Sequence, residues 1–296
     1  MLHGPAVTAD ILSLADRPDV VVFDCMMTAA HAAARQLGVP RAALVHVMYG
    51  PFVHEWGDGV LHTDVAGMLA DVDQVLVSTP YGLDTATVLP DNTSYVGAIT
   101  APDVKPPESF DLDALNEPGD PWVLLSLSTT LQKQDQALPA ILDALAALPV
   151  RVLLTHGGVR AAEAIPLPVN VTARSYVPHE SVLAHMRLVI CHGGLSTVTT
   201  ALAHGVPLVC IPQGREQPIN AAQVQACGAG HAVPAEATVT ELREAVQSTL
   251  ADRRVHARAA QFANPNAGVL AVTLVEQLAR AGAPSRRATP TRLGSS

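Results

Sequence analysis

Short apolar runs rich in Val, Leu and Ile alternate with Ala-rich stretches of helical spacing along most of the chain. This alternation is typical of parallel β-sheets that are covered by helices, so the pattern predicts an α/β fold. In the first part, a helix is predicted over 28–37 and is expected to end there, because Gly38 and Pro40 follow it. The strands predicted in this part are 20–24, 42–47, 74–78 and 95–99.

The second part repeats the strand and helix pattern more regularly. Its predicted strands are 122–128, 151–155, 169–175, 187–191 and 207–211. Its predicted helices are 135–147, 180–185, 197–203, 217–227 and 240–250, with further helical segments to about Arg280.

Two segments lack this periodicity and divide the chain. The first is rich in proline and acidic residues, which is typical of a linker, and the last residues have the composition of a disordered tail. The predicted organisation is an N-terminal domain over 1–103, a linker over 104–120, a second domain over 121–282 and a tail over 283–296.

Composition narrows the class of protein. The chain has 296 residues, of which 49% are hydrophobic and 15% are charged, and its formal net charge is -9. That charge disfavours nucleic acid as a partner. The sequence has neither a long apolar span nor a signal peptide, so we expect a cytoplasmic protein. The four cysteines show no CxxC spacing, which favours buried thiols over disulfides or a zinc site.

One predicted strand leads into a glycine turn and then a helix, in the order His192, Gly193, Gly194, Leu195, Ser196, Thr197. In open parallel sheets, ligands bind at the carboxyl ends of the strands, where helix N-termini offer free N–H groups to phosphate. The turn therefore fits a diphosphate, with His192 as a further donor or charge. Alternatively, the glycines only make a tight turn and Ser196 only caps the helix. The sequence lacks the spacing of a P-loop, a hydrolase nucleophile elbow or a dinucleotide fingerprint.

The next predicted strand ends at a loop that contains Gln213, Glu216 and Gln217. Neutral amides combined with one carboxylate suit the hydroxyl groups of a sugar. The alternative is that Glu216 and Gln217 only favour the N-terminus of the following helix.

The segment 175–224 resembles the donor-binding signature of GT-B fold, family 1-like glycosyltransferases, especially bacterial enzymes that act on macrolides and other natural products. Its elements occur in order: Y-V-P, H-G-G-x-x-T, H-G-V-P, P-Q, an acid followed by Gln, and N-A. Segment 125–130 is similar to the family's first phosphate loop, and segment 18–24 is similar to the end of its acceptor domain. The resemblance implies two Rossmann-like domains with parallel sheets, the N-terminal one incomplete.

The resemblance also implies roles for residues. It places Tyr176 and Val177 against the nucleotide base and Gln213 near the donor. It assigns the diphosphate to the turn and to a threonine opposite, and the sugar hydroxyls to the acid–Gln pair. The donor-binding residues implied are Thr129, Tyr176, Val177, His192, Gly193, Gly194, Ser196, Thr197, Gln213, Glu216 and Gln217. Departures from the family pattern are Ser128, His179, Ser196 and Glu216.

Asp24 matches the family carboxylate that orients the catalytic base; alternatively, it only caps the following helix. The Gly-His turn that carries this base in the family has no counterpart before Asp24, so we expect a chain that starts within the acceptor domain. Neither His3 nor His31 fits the base, and Asp24 is expected to lack a histidine partner. An exposed sheet edge is expected to favour self-association.

The resemblance thus predicts an inverting glycosyltransferase that moves a sugar from UDP or dTDP to a hydroxyl of a small molecule. No cofactor or metal is expected, since helix-end amides can stabilise the leaving diphosphate and the acidic residues are not clustered. One alternative is a non-catalytic nucleotide-sugar-binding protein or partner subunit. Another is a nucleotide-sugar epimerase of the same fold.

Overall fold

The computed structural model describes residues 4–84, 89–99, 111–127, 134–157, 166–264 and 266–282, without the side chains of 134–136. Within these ranges, ten strands form two sheets, and every strand pair in both sheets is parallel. The predicted α/β class with two parallel sheets is confirmed. None of the described helices is long and apolar enough to cross a membrane.

The first sheet has the strand order β1-β2-β3-β4. Its strands are β1 (Val21–Asp24), β2 (Arg41–Val45), β3 (Gln74–Val77) and β4 (Thr93–Tyr95). The helices of this part are α1 (Gly4–Leu12), α2 (Thr28–Leu37) and α3 (Val65–Ala70). Three short consecutive helical segments follow β2, namely Tyr49–Pro51, the π-helical Phe52–Trp56, and Gly57–Leu61.

The second sheet has the strand order β10-β9-β8-β5-β6-β7. Its strands are β5 (Trp122–Ser126), β6 (Arg151–Thr155), β7 (Val171–Arg174), β8 (Met186–Cys191), β9 (Leu208–Cys210) and β10 (Gly230–Ala232). The helices of this part are α4 (Gln134–Ala146), α5 (Leu195–Ala203), α6 (Gln217–Ala226), α7 (Val239–Ala251), α8 (Arg253–Ala260) and α9 (Ala267–Gly282). The predicted helix over 180–185 is replaced by two 3-10 turns, His179–Ser181 and Leu183–His185.

Helix α2 shows how local sequence sets an element. Ala30, Ala33 and Ala34 form its buried face, because small side chains at helical spacing allow the helix to pack closely. Gly38 ends the helix in a left-handed conformation with φ 62°, and its N–H donates to the Arg35 carbonyl. The helix has the predicted bounds.

The last helix, α9, lies against the first sheet although the sequence between them contains the whole second sheet. Ala271 of α9 is buried in a cluster with Ala42, Leu76 and Val96 of the first part. Leu274, Val275 and Leu278 of α9 pack around this cluster. The chain therefore returns to its N-terminal part after completing the second sheet, which joins the two sheets at a second place.

Parts of the predicted linker, first phosphate loop and tail lie outside the described residues. They are 101–110, 128–133 with Thr129, and 283–296. The remaining part of the predicted linker contains a 3-10 turn, Asp113–Asn116, whose Leu115 is buried in the core of the second sheet.

Candidate active site

A cleft of about 1060 Å³ lies where the carboxyl ends of the two sheets face each other. The first sheet contributes residues that follow its strands, including Met26, His46, Ser78 and Ile99. The second sheet contributes Ser126, Leu127, His179, His192, Gly194, Leu195, Ser196, Thr197, Arg215 and Glu216. Carboxyl ends of parallel strands are where such sheets bind ligands, so this cleft is the candidate active site.

The glycine turn after β8 is built by backbone requirements as well as by space. Gly193 has φ +80°, and a Cβ there would lie 3.1 Å from the Gln217 carbonyl oxygen. Asn220 Nδ2 of α6 donates to the Gly193 carbonyl over 2.9 Å, and both groups are buried. Only glycine adopts this conformation readily, so Gly193 fixes the turn and Asn220 holds it.

The helix that follows the turn has a free N-terminus facing the cleft. Gly194 is the N-cap of α5, and no side chain caps it. Ser196 therefore does not cap the helix, contrary to the alternative interpretation; it lies in the first turn with Thr197, and both residues line the cleft. Uncapped first-turn amides carry a partial positive charge and bind anions.

His192 lies between this helix and the second sheet. Its Nδ1 is buried and has no hydrogen-bond partner among the described residues. Burial lowers the pKa of His192, while the Ser126 backbone and the Glu216 carboxylate act in the opposite direction. A lowered pKa leaves the imidazole neutral at pH 7, so it offers a hydrogen bond rather than a charge.

The residues predicted to contact the donor in the loop after β9 have two different positions: Glu216 lines the cleft, whereas Gln217 is bonded within the loop. Glu216 and Arg215 line the cleft, whereas the side chain of Gln217 is buried and its Oε1 accepts from the Gln213 N–H over 2.8 Å. Glu216 takes the N-cap position of α6 without a capping hydrogen bond. Arg215, which the sequence reasoning passed over, adopts φ +56° and is the only Arg or Lys among the described lining residues.

The Y-V-P segment comes directly before His179, which lines the cleft. Tyr176 is 64% exposed, so its ring is free to cover a base, but Val177 is 2% exposed and packs in the core. His179 lines the cleft, its Nε2 lies 3.1 Å from Thr155 Oγ1, and burial lowers its pKa.

Asp24 ends β1, and each of its carboxylate oxygens has a polar neighbour. Oδ1 accepts from the Met26 N–H over 2.8 Å, and Oδ2 lies 3.2 Å from His46 Nδ1. Helix α2 has Met27 as its N-cap with no side-chain cap, so Asp24 does not cap it. The expectation that Asp24 lacks a histidine partner is wrong.

The pairing follows from strand register. β1 and β2 are parallel neighbours in which Asp24 is opposite Leu44, and β2 ends at Val45. His46 therefore leaves the sheet at the same edge as Asp24. The predicted strand over 42–47 contains His46, whereas the observed strand ends one residue before it.

Potential metal ligands come together at the same place. Within the described part of the chain, the ligand atoms of Asp24, Cys25 and His46 lie within 4.8 Å of one another. Burial raises the pKa of the Cys25 thiol to about 12, and Cys25 Sγ lies 3.9 Å from His46 Nδ1. The hydrogen bonds from the Met26 N–H to Asp24 and between Cys25 and His46 account for the grouping without an ion.

Comparisons with known proteins find similarity to glycosyltransferases. Residues 139–276 match the family described as erythromycin biosynthesis protein CIII-like, C-terminal domain. Over 141 residues, the chain is 37% identical to demethyllactenocin mycarosyltransferase from Streptomyces fradiae. The aligned segment makes up 47% of this chain and 31% of that protein. The chain spans about a third to a half of the first curated relatives that it matches.

Solved structures extend the likeness to both sheets. The crystal structure of CalG4, the calicheamicin glycosyltransferase, superposes with a TM-score of 0.73 at 25% identity, covering 95% of this chain and 79% of that chain. Glycosyltransferase VinC in complex with dTDP superposes with a TM-score of 0.67 at 23% identity, covering 93% and 75%. The chain thus has the GT-B fold of these structures, its residues 139–276 match the erythromycin biosynthesis protein CIII-like C-terminal family, and its sequence is similar to parts of natural-product glycosyltransferases.

Proposed function

We propose that this chain transfers a sugar from a UDP- or dTDP-linked donor to a hydroxyl group of a small molecule, with inversion at the anomeric carbon. One observation carries the proposal: a single cleft joins an uncapped helix N-terminus with a carboxylate–histidine pair. The first feature suits a leaving diphosphate, and the second suits a hydroxyl that must lose its proton.

The donor side of the cleft has the groups that a diphosphate needs. The first-turn amides of α5 and the neutral imidazole of His192 donate hydrogen bonds, and Arg215 adds a positive charge. Such fixed donors stabilise the charge that develops on the leaving group. The dTDP bound by VinC, which has the same fold, supports a nucleoside diphosphate as ligand.

The sugar and the base are assigned to the flanks of this diphosphate site. Glu216 at the cleft margin is proposed to bind sugar hydroxyls, while Gln213 and Gln217 hold the loop that presents it. Tyr176 is proposed to cover the base, and Thr129 is proposed to reach the diphosphate from the opposite side. Thr129 lies outside the described residues.

The acceptor side is mainly apolar. Met26, Leu44, Val47, Trp56 and Ile99 line the cleft from the first part of the chain. Such a surface favours an apolar small molecule with one reactive hydroxyl, because removing apolar area from water drives its binding.

Calorimetry with UDP and dTDP tests the donor site in wild type and His192→Ala. Loss of one hydrogen bond to a charged ligand weakens binding by about 1.5 to 3 kcal/mol. Nucleotide release with a panel of phenolic and macrolide acceptors tests transfer. Absence of nucleotide binding would refute the proposal, and binding without transfer would favour a non-catalytic nucleotide-sugar-binding protein.

A further inference from the structure

We propose that Trp56 determines the acceptor specificity of this cleft and that the acceptor is a planar aromatic compound with a hydroxyl group, an inference that rests on the proposed function. Trp56 is one of two tryptophans in the chain, and it lines the cleft beside Met26 and Val47. The described residues of the lining include no Phe, no Tyr and no second Trp. The indole is therefore the largest flat apolar surface that these residues offer to a ligand.

A π-helical turn carries the indole. The turn covers Phe52–Trp56, and the Gly57 N–H donates to the Phe52 carbonyl, five residues earlier in the chain. Such turns are rare and occur frequently at functional sites. A Cβ at Gly57 would clash with the Phe52 carbonyl oxygen and would lie 2.9 Å from its ring. The position of the indole therefore depends on a backbone turn that has no room for a side chain at residue 57.

A buried ring packs against the indole. The Phe52 side chain is fully buried in the core of the first sheet. Its ring centroid lies 5.1 Å from that of Trp56, and the two ring planes are tilted by 54°. Trp56 itself is half-buried, packs against the same core and lines the cleft. The core thus fixes the indole while part of its surface stays open to a ligand.

Both ends of the helical segment around this turn are held by carboxylates. At its start, Asp84 accepts from the Tyr49 N–H and, over 2.9 Å, from the Gly50 N–H. At its end, Asp58 Oδ1 accepts from the Val65 N–H over 2.9 Å. A rigid aromatic side chain on a fixed backbone loses little conformational entropy when a ligand binds. The segment therefore presents the indole as a preformed wall of the acceptor side.

Such a wall favours aromatic rings over saturated rings of the same skeleton. Both kinds of ring remove apolar surface from water, so both gain from burial. Offset-stacked and edge-to-face contacts between aromatic rings add an attraction that a saturated ring lacks. This attraction corresponds to roughly 2- to 12-fold tighter binding. A flat phenolic compound should therefore bind better than a saturated alcohol of the same size.

The first test uses the indole N–H groups and does not depend on sugar transfer. In the ¹⁵N-labelled chain, the two indole resonances are assigned with Trp56→Phe and Trp122→Phe. Naphthol should shift the Trp56 resonance saturably, with a Kd roughly 2- to 12-fold below that of decahydronaphthol. Trp122 is the internal control: it lies outside the cleft lining, with the Arg151 guanidinium over its ring, and its resonance should not move.

The second test uses calorimetry on variants of the wall. Trp56→Phe keeps an aromatic ring and should keep most of the preference for naphthol over decahydronaphthol. Trp56→Leu keeps only an apolar side chain and should abolish the preference while UDP affinity stays within about twofold. Gly57→Ala retains the indole but displaces its turn, so it should reduce the preference. Gly59→Ala, where no atom lies within 4 Å of the added methyl group, is the matched control and should leave the preference unchanged.

The outcomes separate this inference from the proposed function. Lack of UDP and dTDP binding refutes the proposed function itself. Nucleotide binding without tighter binding of naphthol than of decahydronaphthol overturns only the acceptor assignment, as does a preference that survives Trp56→Leu. A saturable shift of the Trp56 resonance by UDP alone would place the indole in the donor site and overturn it too. If Trp56→Leu does not fold, the wild-type comparison of the two ligands and the Trp56→Phe variant still decide.

Discussion

Gly194→Ala is the most selective perturbation of the glycine turn. The backbone of Gly194 has φ −62° and ψ 131°, a conformation that alanine adopts without strain. A Cβ there would lie 2.4 Å from Nε2, 2.9 Å from Cε1 and 3.3 Å from Cδ2 of His192. Since optimal contacts between heavy atoms are about 3.5 to 4.0 Å, the imidazole has to move while the amides of α5 stay in place.

The size of the effect follows from what the imidazole contributes. A hydrogen bond to a charged group is worth about 1.5 to 3 kcal/mol, so Gly194→Ala should weaken UDP or dTDP binding roughly 10- to 150-fold. The displaced side chain should also lower the free energy of unfolding by about 1 to 3 kcal/mol. Calorimetry measures the first quantity and urea denaturation the second.

Two controls make this prediction decisive. Gly59→Ala adds a methyl group where no atom lies within 4 Å, so it should leave nucleotide binding unchanged. The double variant Gly194→Ala, His192→Ala should bind no more weakly than either single variant, because both remove the same interaction. Additive losses, or wild-type binding by Gly194→Ala, would refute the assignment of His192 to the diphosphate.

Further predictions concern neighbouring groups. Glu216→Gln should weaken binding of UDP-sugars more than that of UDP, and equal losses in calorimetry would remove Glu216 from the sugar site. Arg215→Gly should weaken UDP binding about two- to fivefold at low salt, as expected for an exposed charge, with the difference fading at high salt; a salt-independent effect would contradict a charge role. Burial lowers the pKa of His179 and of His192 below the unfolded value, so the unfolded chain binds more protons, and the melting temperature should fall as pH drops below about 6.5; a higher melting temperature at pH 5.5 than at 7.5 would oppose this. β1 is an edge strand with Val22 45% exposed; light scattering should show concentration-dependent association that Val22→Lys reduces, and a monomer at all concentrations would contradict it.

Local sequence determined the elements and the donor turn. Helix α2 has its predicted bounds because alanine spacing and Gly38 act within one or two turns of chain. The order of strand, glycines and helix after β8 was readable for the same reason, since the conformation at Gly193 depends on its own backbone. Such features depend on residues that are close in sequence, so the order of residues alone is enough to predict them.

Tertiary structure decided which of these residues face the cleft. His46 became a partner of Asp24 because β2 ends two residues earlier than predicted and lies parallel to β1. Gln217 proved to be buried and bonded to Gln213, although its spacing suited a sugar. Helix α9 packs on the first sheet across the length of the second part. These outcomes depend on strand register and on packing between distant segments, which no local periodicity encodes.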